Sequence, residues 1–339
     1  MKRFCIITWG LAILLMALSS CLGAGAAPEA AAVPIRADNA AQLEVIKKGT
    51  VQAVYGISWS ADSSIILAAN ETLAIRLDTQ SLEALDSYKF EKPAGVFSTA
   101  PDGRTVAISH DNLGLYLVDT STAESTVSMN PGYFIGNVDF APDSLSLLTS
   151  NQDEIAVTIW DATTGKEIGT YTGFETAAPM YAAKYGEDSF HIIWMARGTV
   201  QLMDTGDGQF GPVFDHEDFV MDATLSPDGA LLATAAAGTV GEEFTPAIYL
   251  WDASSGEQSG VLAYPESITR LAFSPDGRLI AAASGSTLTL WDVADMQLLA
   301  ELNGHADRIT SLAFSPDGVS IASASADGTL ALWQVVSGK

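Results

Sequence analysis

Cysteine is almost absent from this sequence. The 339 residues include only Cys5 and Cys21, so the chain beyond Cys21 has no thiol for a disulfide bond or a cysteine-ligated zinc site. The four histidines include no H-x-H or H-E-x-x-H pair, so the sequence also predicts no histidine-based zinc centre. Stability must therefore come from apolar packing, for which a folded region of more than about 250 residues is long enough.

Basic residues are also scarce. The chain has 16 Lys and Arg residues against 41 Asp and Glu residues, a formal net charge of −25 at pH 7. Nucleic acids and anionic lipid surfaces require clustered Lys and Arg, and the sequence contains no such cluster. An acidic surface is typical of a protein that stays soluble after export. We therefore expect no nucleic-acid partner.

The common catalytic and nucleotide-binding motifs are missing as well. There is no G-x-S-x-G nucleophile elbow and no G-x-x-x-x-G-K-[ST] phosphate loop. A G-x-G-x-x-G match at residues 206–211 is followed by Pro212-Val213-Phe214, which we expect to continue as a strand. Phosphate binding requires a helix N-terminus at that place, so these glycines are predicted to form a turn. We expect no enzymatic activity and no cofactor.

The N-terminus has the pattern of an export signal. Lys2 and Arg3 precede a mostly apolar, uncharged run from Phe4 to Leu18, which is too short for a durable transmembrane helix. Two cleavage sites are possible. Residues 18–21, Leu-Ser-Ser-Cys, resemble the bacterial lipobox, in which the cysteine becomes the lipidated first residue. Residues 24–26, Ala-Gly-Ala, instead fit ordinary signal peptidase, which would release a soluble secreted protein.

Cysteine usage favours the lipobox, because Cys21 is the one cysteine outside the signal. The resemblance implies a lipoprotein held on the extracytoplasmic side of a membrane by lipid on Cys21, with more than one acyl chain for stable anchoring. The predicted organisation is a signal peptide at residues 1–20, lipidated Cys21 with a flexible Ala/Gly/Pro-rich tether through residue 41, and a folded domain at residues 42–339.

A repeated unit accounts for the folded domain. In its clearest copy, the alternating runs Ile309–Phe314 and Val319–Ser325 flank the turn at residues 315–318, and a third run ends at Trp333. Proline presets φ in such a turn and glycine supplies φ > 0, so the two runs are predicted to form a hairpin. Three short antiparallel strands that end in Trp, with Gly-His ahead of them, resemble one unit of the WD-repeat β-propeller family.

Two markers recur in phase along the chain. The Trp-Asp position recurs at intervals of 40 to 48 residues, at residues 77, 118, 160, 203, 251, 291 and 333. The hairpin turn recurs with it, as Ala61-Asp62, Pro101-Asp102, Pro142-Asp143, Gly186-Glu187, Pro227-Asp228, Pro275-Asp276 and Pro316-Asp317. The predicted fold class is all-β, a seven-bladed β-propeller. Residues 42–47 are predicted to be the outer strand that pairs with the last blade and closes the ring.

The resemblance also implies a structural role for two histidines. His305 and His216 each lie 11 residues before a turn proline, where the family keeps a structural histidine. A buried network of this kind satisfies its own polar groups and fixes the geometry of the blade. The implied networks are His305, Ser323 and Trp333 with Asp327 in blade seven, and His216, Thr234 and Trp251 in blade five.

Blade five carries the clearest insertion, residues 238–245, between its second and third strands. In the family's geometry it shares a face with the loop that enters the blade, residues 215–218. The two segments predict a surface for a protein partner or a site for calcium, which takes several carboxylate oxygens, and two merely solvated loops remain an alternative. The partner-binding candidates are Asp215, His216, Glu217, Asp218, Glu242, Glu243 and Phe244, and the carboxylates among them are the metal candidates.

These patterns predict a monomeric, non-enzymatic interaction scaffold at the cell surface or in the envelope. One alternative is a cation-dependent hydrolase or lactonase-like propeller enzyme, whose acids and histidines would gather around the central channel. Another is a sugar- or cell-wall-binding propeller, which requires exposed aromatic platforms. Most tryptophans fall at core positions of the repeat, which counts against sugar binding.

Overall fold

The computed structural model describes residues 32–51, 53–151, 153–173, 180–240 and 243–336. Within them the chain forms a short 3-10 helix, Ala40–Gln42, and 28 β-strands. The strands are β1 (Leu43–Thr50), β2 (Gly56–Trp59), β3 (Ile65–Ala69), β4 (Leu73–Asp78), β5 (Ala84–Lys89), β6 (Val96–Thr99), β7 (Thr105–Ser109), β8 (Leu115–Asp119), β9 (Glu124–Met129), β10 (Ile135–Phe140), β11 (Ser146–Asn151), β12 (Ala156–Asp161), β13 (Glu167–Thr172), β14 (Met180–Tyr185), β15 (His191–Ala196), β16 (Thr199–Asp204), β17 (Phe210–Asp215), β18 (Asp222–Leu225), β19 (Leu231–Val240), β20 (Glu243–Asp252), β21 (Gln258–Ala263), β22 (Ile268–Phe273), β23 (Leu279–Ser284), β24 (Thr287–Asp292), β25 (Gln297–Asn303), β26 (Ile309–Phe314), β27 (Ser320–Ser325) and β28 (Thr329–Val335).

The described strands form seven antiparallel four-stranded sheets, which confirms the seven-bladed propeller. Blades one to six each take four consecutive strands, beginning with β2, β6, β10, β14, β18 and β22. Blade seven takes β26, β27 and β28, and β1 adds its outer strand. Because the strands alternate in direction, the connection that enters each blade lies on the same face as the turn between its second and third strands. We call this the entry face.

Burial along the strands explains why the sheets stack. The second strands of blades six and seven, β23 and β27, are buried at every position and rich in alanine and serine, so neighbouring sheets approach closely. Outer strands such as β5 and β13 instead alternate between exposed and half-buried positions, because one of their faces is in water. The hydrophobic core therefore lies between blades, as where Ile248 and Leu262 of blade five pack with Phe273 and Trp291 of blade six.

The turn between the first and second strands has one design in all blades. In blade seven, Asp317 Oδ1 accepts hydrogen bonds from Ser315 Oγ at 2.5 Å and from Val319 N at 3.0 Å, and Gly318 has φ +69°. In blade four the same role falls to Asp188, which accepts the N–H groups of two following residues, and the next residue has φ +62°. The predicted match of Gly186-Glu187 with Pro-Asp is therefore wrong by one residue, because blade four has no proline to mark the turn.

Strand β1 closes the ring, as predicted, but it is longer than the predicted run of residues 42–47. It pairs with β28 from Leu43, opposite Val335, to Thr50, opposite Thr329, with a bulge after Val45. The run of alternating residues therefore continues through Lys48 and Gly49 instead of stopping there. Pairing continues because β28 offers an otherwise open edge along its whole length.

The segment before β1 is packed against the propeller, which corrects the predicted flexible tether for residues 35–41. Ile35 is 4% exposed, and its N–H donates to the carbonyl of Gly318 at 2.9 Å. Ile35 and Ala40 join the apolar cluster between blades six and seven. The composition of this segment, rich in Ala, Gly and Pro, did not predict the contact, because only two side chains, those of Ile35 and Ala40, make it.

The insertion in blade five is an extended hairpin. We expected a loop at residues 238–245, but β19 and β20 each run for ten residues, and Gly238, Thr239 and Val240 pair with Thr245, Phe244 and Glu243. Thr239, Val240, Phe244 and Thr245 have side chains that favour strands, and main-chain pairing satisfies polar groups that a loop would leave to water. The hairpin projects from the entry face.

Candidate functional site

Blade seven contains a complete buried hydrogen-bond network. Trp333 Nε1 donates to Ser323 Oγ at 2.8 Å, and His305 Nε2 lies 2.8 Å from the same oxygen. On the other side of the ring, His305 Nδ1 lies 3.0 Å from Thr329 Oγ1 and 3.5 Å from Asp327 Oδ2. We expected Asp327 to be the partner of His305 and did not predict Thr329, whose hydroxyl lies between the imidazole and the carboxylate.

The carboxylate end of this network, together with a neutral imidazole, fixes the direction of every hydrogen bond in it. An indole N–H can only donate and a carboxylate can only accept. The Ser323 hydroxyl therefore donates to His305 Nε2, His305 Nδ1–H donates to Thr329 Oγ1, and the Thr329 hydroxyl donates to Asp327 Oδ1 at 2.5 Å. Burial lowers the pKa of His305, with Asp327 opposing that shift. The imidazole is thus held neutral, in the tautomer that serves a structural bond.

Blade five contains a shorter network of the same kind. Trp251 Nε1 donates to Thr234 Oγ1 at 3.0 Å, and His216 Nε2 lies 2.7 Å from that oxygen. His216 Nδ1 is buried and makes no hydrogen bond with a described residue, because Ala247 stands where blade seven has Thr329. Burial lowers the pKa of His216 to about 4.

Other blades replace the histidine. In blade three, Thr149 Oγ1 accepts from Trp160 Nε1 at 2.8 Å and lies 2.6 Å from the Tyr133 hydroxyl. In blade six, Trp291 Nε1 donates to Thr289 Oγ1 on its own strand, at 2.9 Å. A search for histidine at a fixed spacing could not find either solution. The signal that could have found them is a threonine close to the tryptophan, either two positions before it on the same strand, as Thr289 is, or two positions beyond its cross-strand partner Leu147, as Thr149 is.

Three of the blade-five candidates, Asp215, His216 and Glu217, lie around a cavity of about 360 Å³ beneath the extended hairpin. Glu217 joins the two segments, since its Oε2 accepts from Thr239 N at 3.1 Å and from Thr239 Oγ1 at 2.9 Å. His216 forms edge-to-face contacts with Tyr249 and Trp251 in the cavity wall. The lining consists of Asp215, His216, Glu217, Thr239, Val240, Tyr249, Trp251, Gln258 and Val261.

The remaining blade-five candidates lie outside that cavity. Asp218 is exposed in the connection to β18, and Glu243 and Phe244 are exposed at the start of β20, where Phe244 is 60% accessible. Glu242 lies outside the described residues. Across the part of the chain that the structure describes, no three or more His, Cys, Asp or Glu side chains form a group that could hold a metal ion. The described carboxylates of blade five thus do not assemble the predicted calcium site.

Two apolar residues that the sequence did not single out complete this region. Phe219 and Met221 are exposed at 39% and 42%, in the connection that also carries Glu217 and Asp218. Phe219 stacks on Tyr181 of blade four, with 4.7 Å between ring centroids. We call the exposed set the blade-five surface, and its members are Asp215, Glu217, Asp218, Phe219, Met221, Glu243 and Phe244.

A larger cavity, of about 610 Å³, occupies the central channel. Its wall comes from the inner strands of all seven blades and from the turns that follow them, so it lies towards the face opposite the entry face. Five charged residues line it, and none of them was predicted, because they come from four different blades that lie about one repeat apart along the chain. They are Asp139, Lys184, Glu187, Asp222 and Arg270.

Several hydrogen bonds from the inner strands join neighbouring blades around this channel. Asp222 of blade five is the most heavily used, since its carboxylate accepts from Lys184 Nζ of blade four at 2.7 Å and from Leu271 N of blade six at 2.8 Å. Burial of the ring of inner strands makes such bonds strong. Further examples are Ser58 to Ala100 O at 2.8 Å, Asn137 to Ala183 O at 2.6 Å, Arg270 to Thr310 O at 3.0 Å and Trp59 to Ala313 O at 3.2 Å.

Cys21, the predicted lipidation site, lies outside the described residues. In the portion of the chain that is described, no helix is long and apolar enough to cross a membrane. The six tryptophans of this portion are all buried.

Comparison with known proteins identifies the repeat in two places. Residues 256–292 and 296–334 match the family described as WD domain, G-beta repeat (WD40). Together these stretches contain blade six and the three C-terminal strands of blade seven. No curated protein matches the chain. WD40 propellers are generally non-enzymatic scaffolds that bind protein partners, and the seven-bladed fold is consistent with that role.

Proposed function

We propose that this protein is an exported scaffold, anchored to a membrane by lipid on Cys21, that binds a protein partner on its blade-five surface without catalysing a reaction. The observation that supports this most is the juxtaposition of exposed acidic and apolar side chains on one blade. Glu217 accepts a hydrogen bond from Thr239 of the extended hairpin, so the segments that expose Phe219 and Phe244 are connected.

Charge indicates which kind of partner suits this surface. Asp215, Glu217, Asp218 and Glu243 are all exposed, so a basic segment of the partner would find complementary charge there. Exposed aromatic and methionine side chains supply the apolar contact area that protein interfaces favour. Coulomb attraction between exposed charges is screened by salt, so binding should weaken as ionic strength rises.

Site-specific photocrosslinking in the native cell tests the surface. A benzophenone amino acid is placed at Phe244 or, as a matched control, at Phe190, which is 68% exposed on the face opposite the entry face. We expect one defined partner to be captured from position 244 and not from position 190. The double variant Glu217→Gln with Asp218→Asn should reduce that capture, because it removes two charges at nearly constant volume. Equal capture from both positions would reject the blade-five surface.

Membrane attachment has a separate test. Full-length protein and a Cys21→Ser variant are expressed in a bacterial host with labelled fatty acid, and the membranes are separated from the soluble fractions. The unaltered protein should carry label and sediment with the membranes, whereas the variant should lose the label. A labelled variant, or an unaltered protein without label, would contradict anchoring through Cys21.

A further inference from the structure

Few sulfur atoms of the described protein can be reached by an oxidant. Cysteine and methionine are the side chains that peroxides oxidise most readily, and the sequence has no cysteine beyond Cys21. Among the methionines of the described ranges, only Met221 and Met296 are exposed, at 42% and 43%. The other four are buried to at least 97%, namely Met129, Met180, Met195 and Met203. A peroxide in the surrounding water therefore meets two thioethers in the part of the chain that the structure describes.

Met221 is held on a fixed stretch of backbone, although its side chain is exposed. Its own N–H donates to Ala235 O at 2.8 Å, and the N–H of Val220 donates to Arg197 O at 2.8 Å. On its other side, the carboxylate of Asp222 accepts hydrogen bonds from blades four and six. The backbone on both sides of Met221 is thus fixed by contacts that do not involve the thioether. Chemical change of this side chain should therefore alter the surface and leave the fold in place.

The thioether belongs to the blade-five surface. Phe219, two residues earlier in the same connection, is also exposed and stacks on Tyr181 with 4.7 Å between ring centroids. Phe219 and Met221 place apolar side chains beside the acidic Glu217 and Asp218. Protein interfaces favour methionine and aromatic side chains because these bury apolar area and adapt to the partner. A polar group added to Met221 would therefore reduce the apolar contact that this surface offers.

Met296 has nearly the same exposure in a different setting. It lies in the turn between β24 and β25, on the face opposite the entry face. Its thioether lies against the outer strand of blade five, since a Cβ added to Gly260 would stand 2.6 Å from Met296 Cε and 2.8 Å from its Sδ. Oxidation of Met296 would thus affect the packing of two outer strands and not the blade-five surface. It provides a matched control for Met221.

Oxidation would change the polarity of Met221 at almost constant size. In the reaction with hydrogen peroxide the O–O bond breaks and one oxygen atom forms a bond to Sδ, so the sulfur loses two electrons, the peroxide is reduced and water leaves. The product, a sulfoxide, is polar and disrupts interfaces that contain methionine. Methionine sulfoxide reductases return it to the thioether. The modification is therefore reversible.

We propose that Met221 is an oxidation site, and that its conversion to the sulfoxide by a peroxide weakens binding of the protein partner to the blade-five surface. This inference rests on the proposed function of that surface. Export, which is part of the same proposal, would expose the thioether to oxidants outside the cytosol. Partner binding would then respond to those oxidants and recover on reduction.

Peroxide treatment of the purified full-length protein tests the site without a partner. Mass spectrometry of protease fragments follows the sulfoxide at each methionine with time. We expect Met221 and Met296 to oxidise at least about tenfold faster than the buried Met129, because exposure governs access to the sulfur. The melting temperature of a Met296→Leu variant oxidised at Met221 should not change. Oxidation of Met221 as slow as that of Met129 would overturn the site.

Capture of the partner tests the effect of oxidation. Cells that carry the benzophenone amino acid at position 244 are treated briefly with hydrogen peroxide before irradiation. Capture should fall by about fivefold or more in the unaltered protein and in Met296→Leu. Met221→Leu keeps an apolar side chain of similar volume, so it should retain capture after treatment. Met221→Gln introduces a polar amide and should lower capture without peroxide.

The variants distinguish this inference from the proposed function. An equal fall of capture in Met221→Leu, or no fall in the unaltered protein, would overturn release by oxidation of Met221 and leave the blade-five surface in place. Failure to capture any partner from position 244 in untreated cells would instead reject the surface itself, and the release with it.

Discussion

Blades five and seven share a His–hydroxyl–Trp network, and they differ in how it ends. In blade seven Thr329 and Asp327 hold the outer nitrogen of His305, whereas in blade five the corresponding nitrogen of His216 has no described partner. Blade seven is also the blade assembled from both ends of the chain. Lys48 of the closing strand lies 3.7 Å from Asp327, so the closure and the network meet.

This difference shows where the repeat tolerates change. Blade seven must hold two distant parts of the chain together, and it keeps a complete network and a regular hairpin. Blade five is one continuous stretch of chain, so its strand order does not depend on a distant segment. It lacks the threonine and the aspartate, and it has a long hairpin with an exposed Phe244. Blade five, which does not have to join distant parts of the chain, is the one that carries the proposed binding surface.

Removing the closing strand should have the largest effect. A deletion of residues 22–48 takes away most of β1 and exposes the edge of β28, so we expect the melting temperature to fall by roughly 10 °C or more, as for a loss of several kcal/mol. A deletion of residues 22–33 stops before the contact made by Ile35 and should leave the melting temperature unchanged. Scanning calorimetry measures both, and equal effects would contradict closure by β1.

Removing the central hydroxyl of each network compares the two blades directly. Ser323→Ala leaves the Trp333 indole and His305 Nε2 buried without partners, and we expect a loss of about 2–4 kcal/mol of unfolding free energy. Thr234→Ala in blade five should cost less, about 1–2 kcal/mol, because His216 is held on one side only and can reorient. Urea denaturation at pH 7.5 measures both losses. A larger loss for Thr234→Ala would reverse the comparison.

The pH dependence of stability should reveal His216. Its pKa is about 4 in the folded protein and near 6.5 when unfolded, so between these values only the unfolded chain binds the proton. Stability should therefore fall by about 2–3 kcal/mol as the pH drops from 6.5 to 4. Asp139 has the opposite effect on stability. Its pKa, raised by burial, lets the folded protein bind a proton before the unfolded chain does, so this group increases the stability as the pH drops below about 7.

Variants separate these two contributions. Urea denaturation across that pH range should show a flatter loss of stability for His216→Phe than for the unaltered protein. Asp139→Asn should be more stable than the unaltered protein at pH 8 and should lose this advantage towards pH 5. Profiles parallel to that of the unaltered protein would show that neither group titrates as described.

Exchanging the residue that holds the imidazole should have the smallest effect. Thr329→Val keeps the shape of the side chain and removes the acceptor of His305 Nδ1–H, so we expect a loss of about 1 kcal/mol. The reverse change, Ala247→Ser in blade five, offers His216 an acceptor and should add about 0.5 kcal/mol. A stabilised Thr329→Val variant, found by the same denaturation assay, would show that the blade-seven bond is not formed.

The ring could be predicted from the sequence because each repeat encodes its blade by local sequence signals. Each blade has a turn and a terminal strand at a regular spacing, so errors arose where the markers were lost, as at Gly186-Glu187. The histidine spacing likewise led to His305 and His216, because a fixed offset from the turn encodes their position. The same rule could not find Tyr133, which fills the histidine's place at another spacing.

Features that depend on contacts between distant residues could not be predicted. Asp139, Lys184 and Asp222 meet in the channel although each lies about one repeat from the next. Ile35 is apolar but sits in a segment whose average composition is that of a linker. The exposure of Phe219 and Met221 depends on how one connection crosses its blade, which no local pattern records.

Hydrogen–deuterium exchange of the intact propeller tests the central claim, that the N-terminal strand closes blade seven while the hairpin of blade five extends beyond the body of its sheet. Amides of β1 and β28 should exchange slowly and at matching rates, and residues 238–240 and 243–245 should exchange much faster than the rest of β19 and β20. Rapid exchange of β1 beside a protected β28, or a hairpin as protected as the body of its strands, would contradict this account.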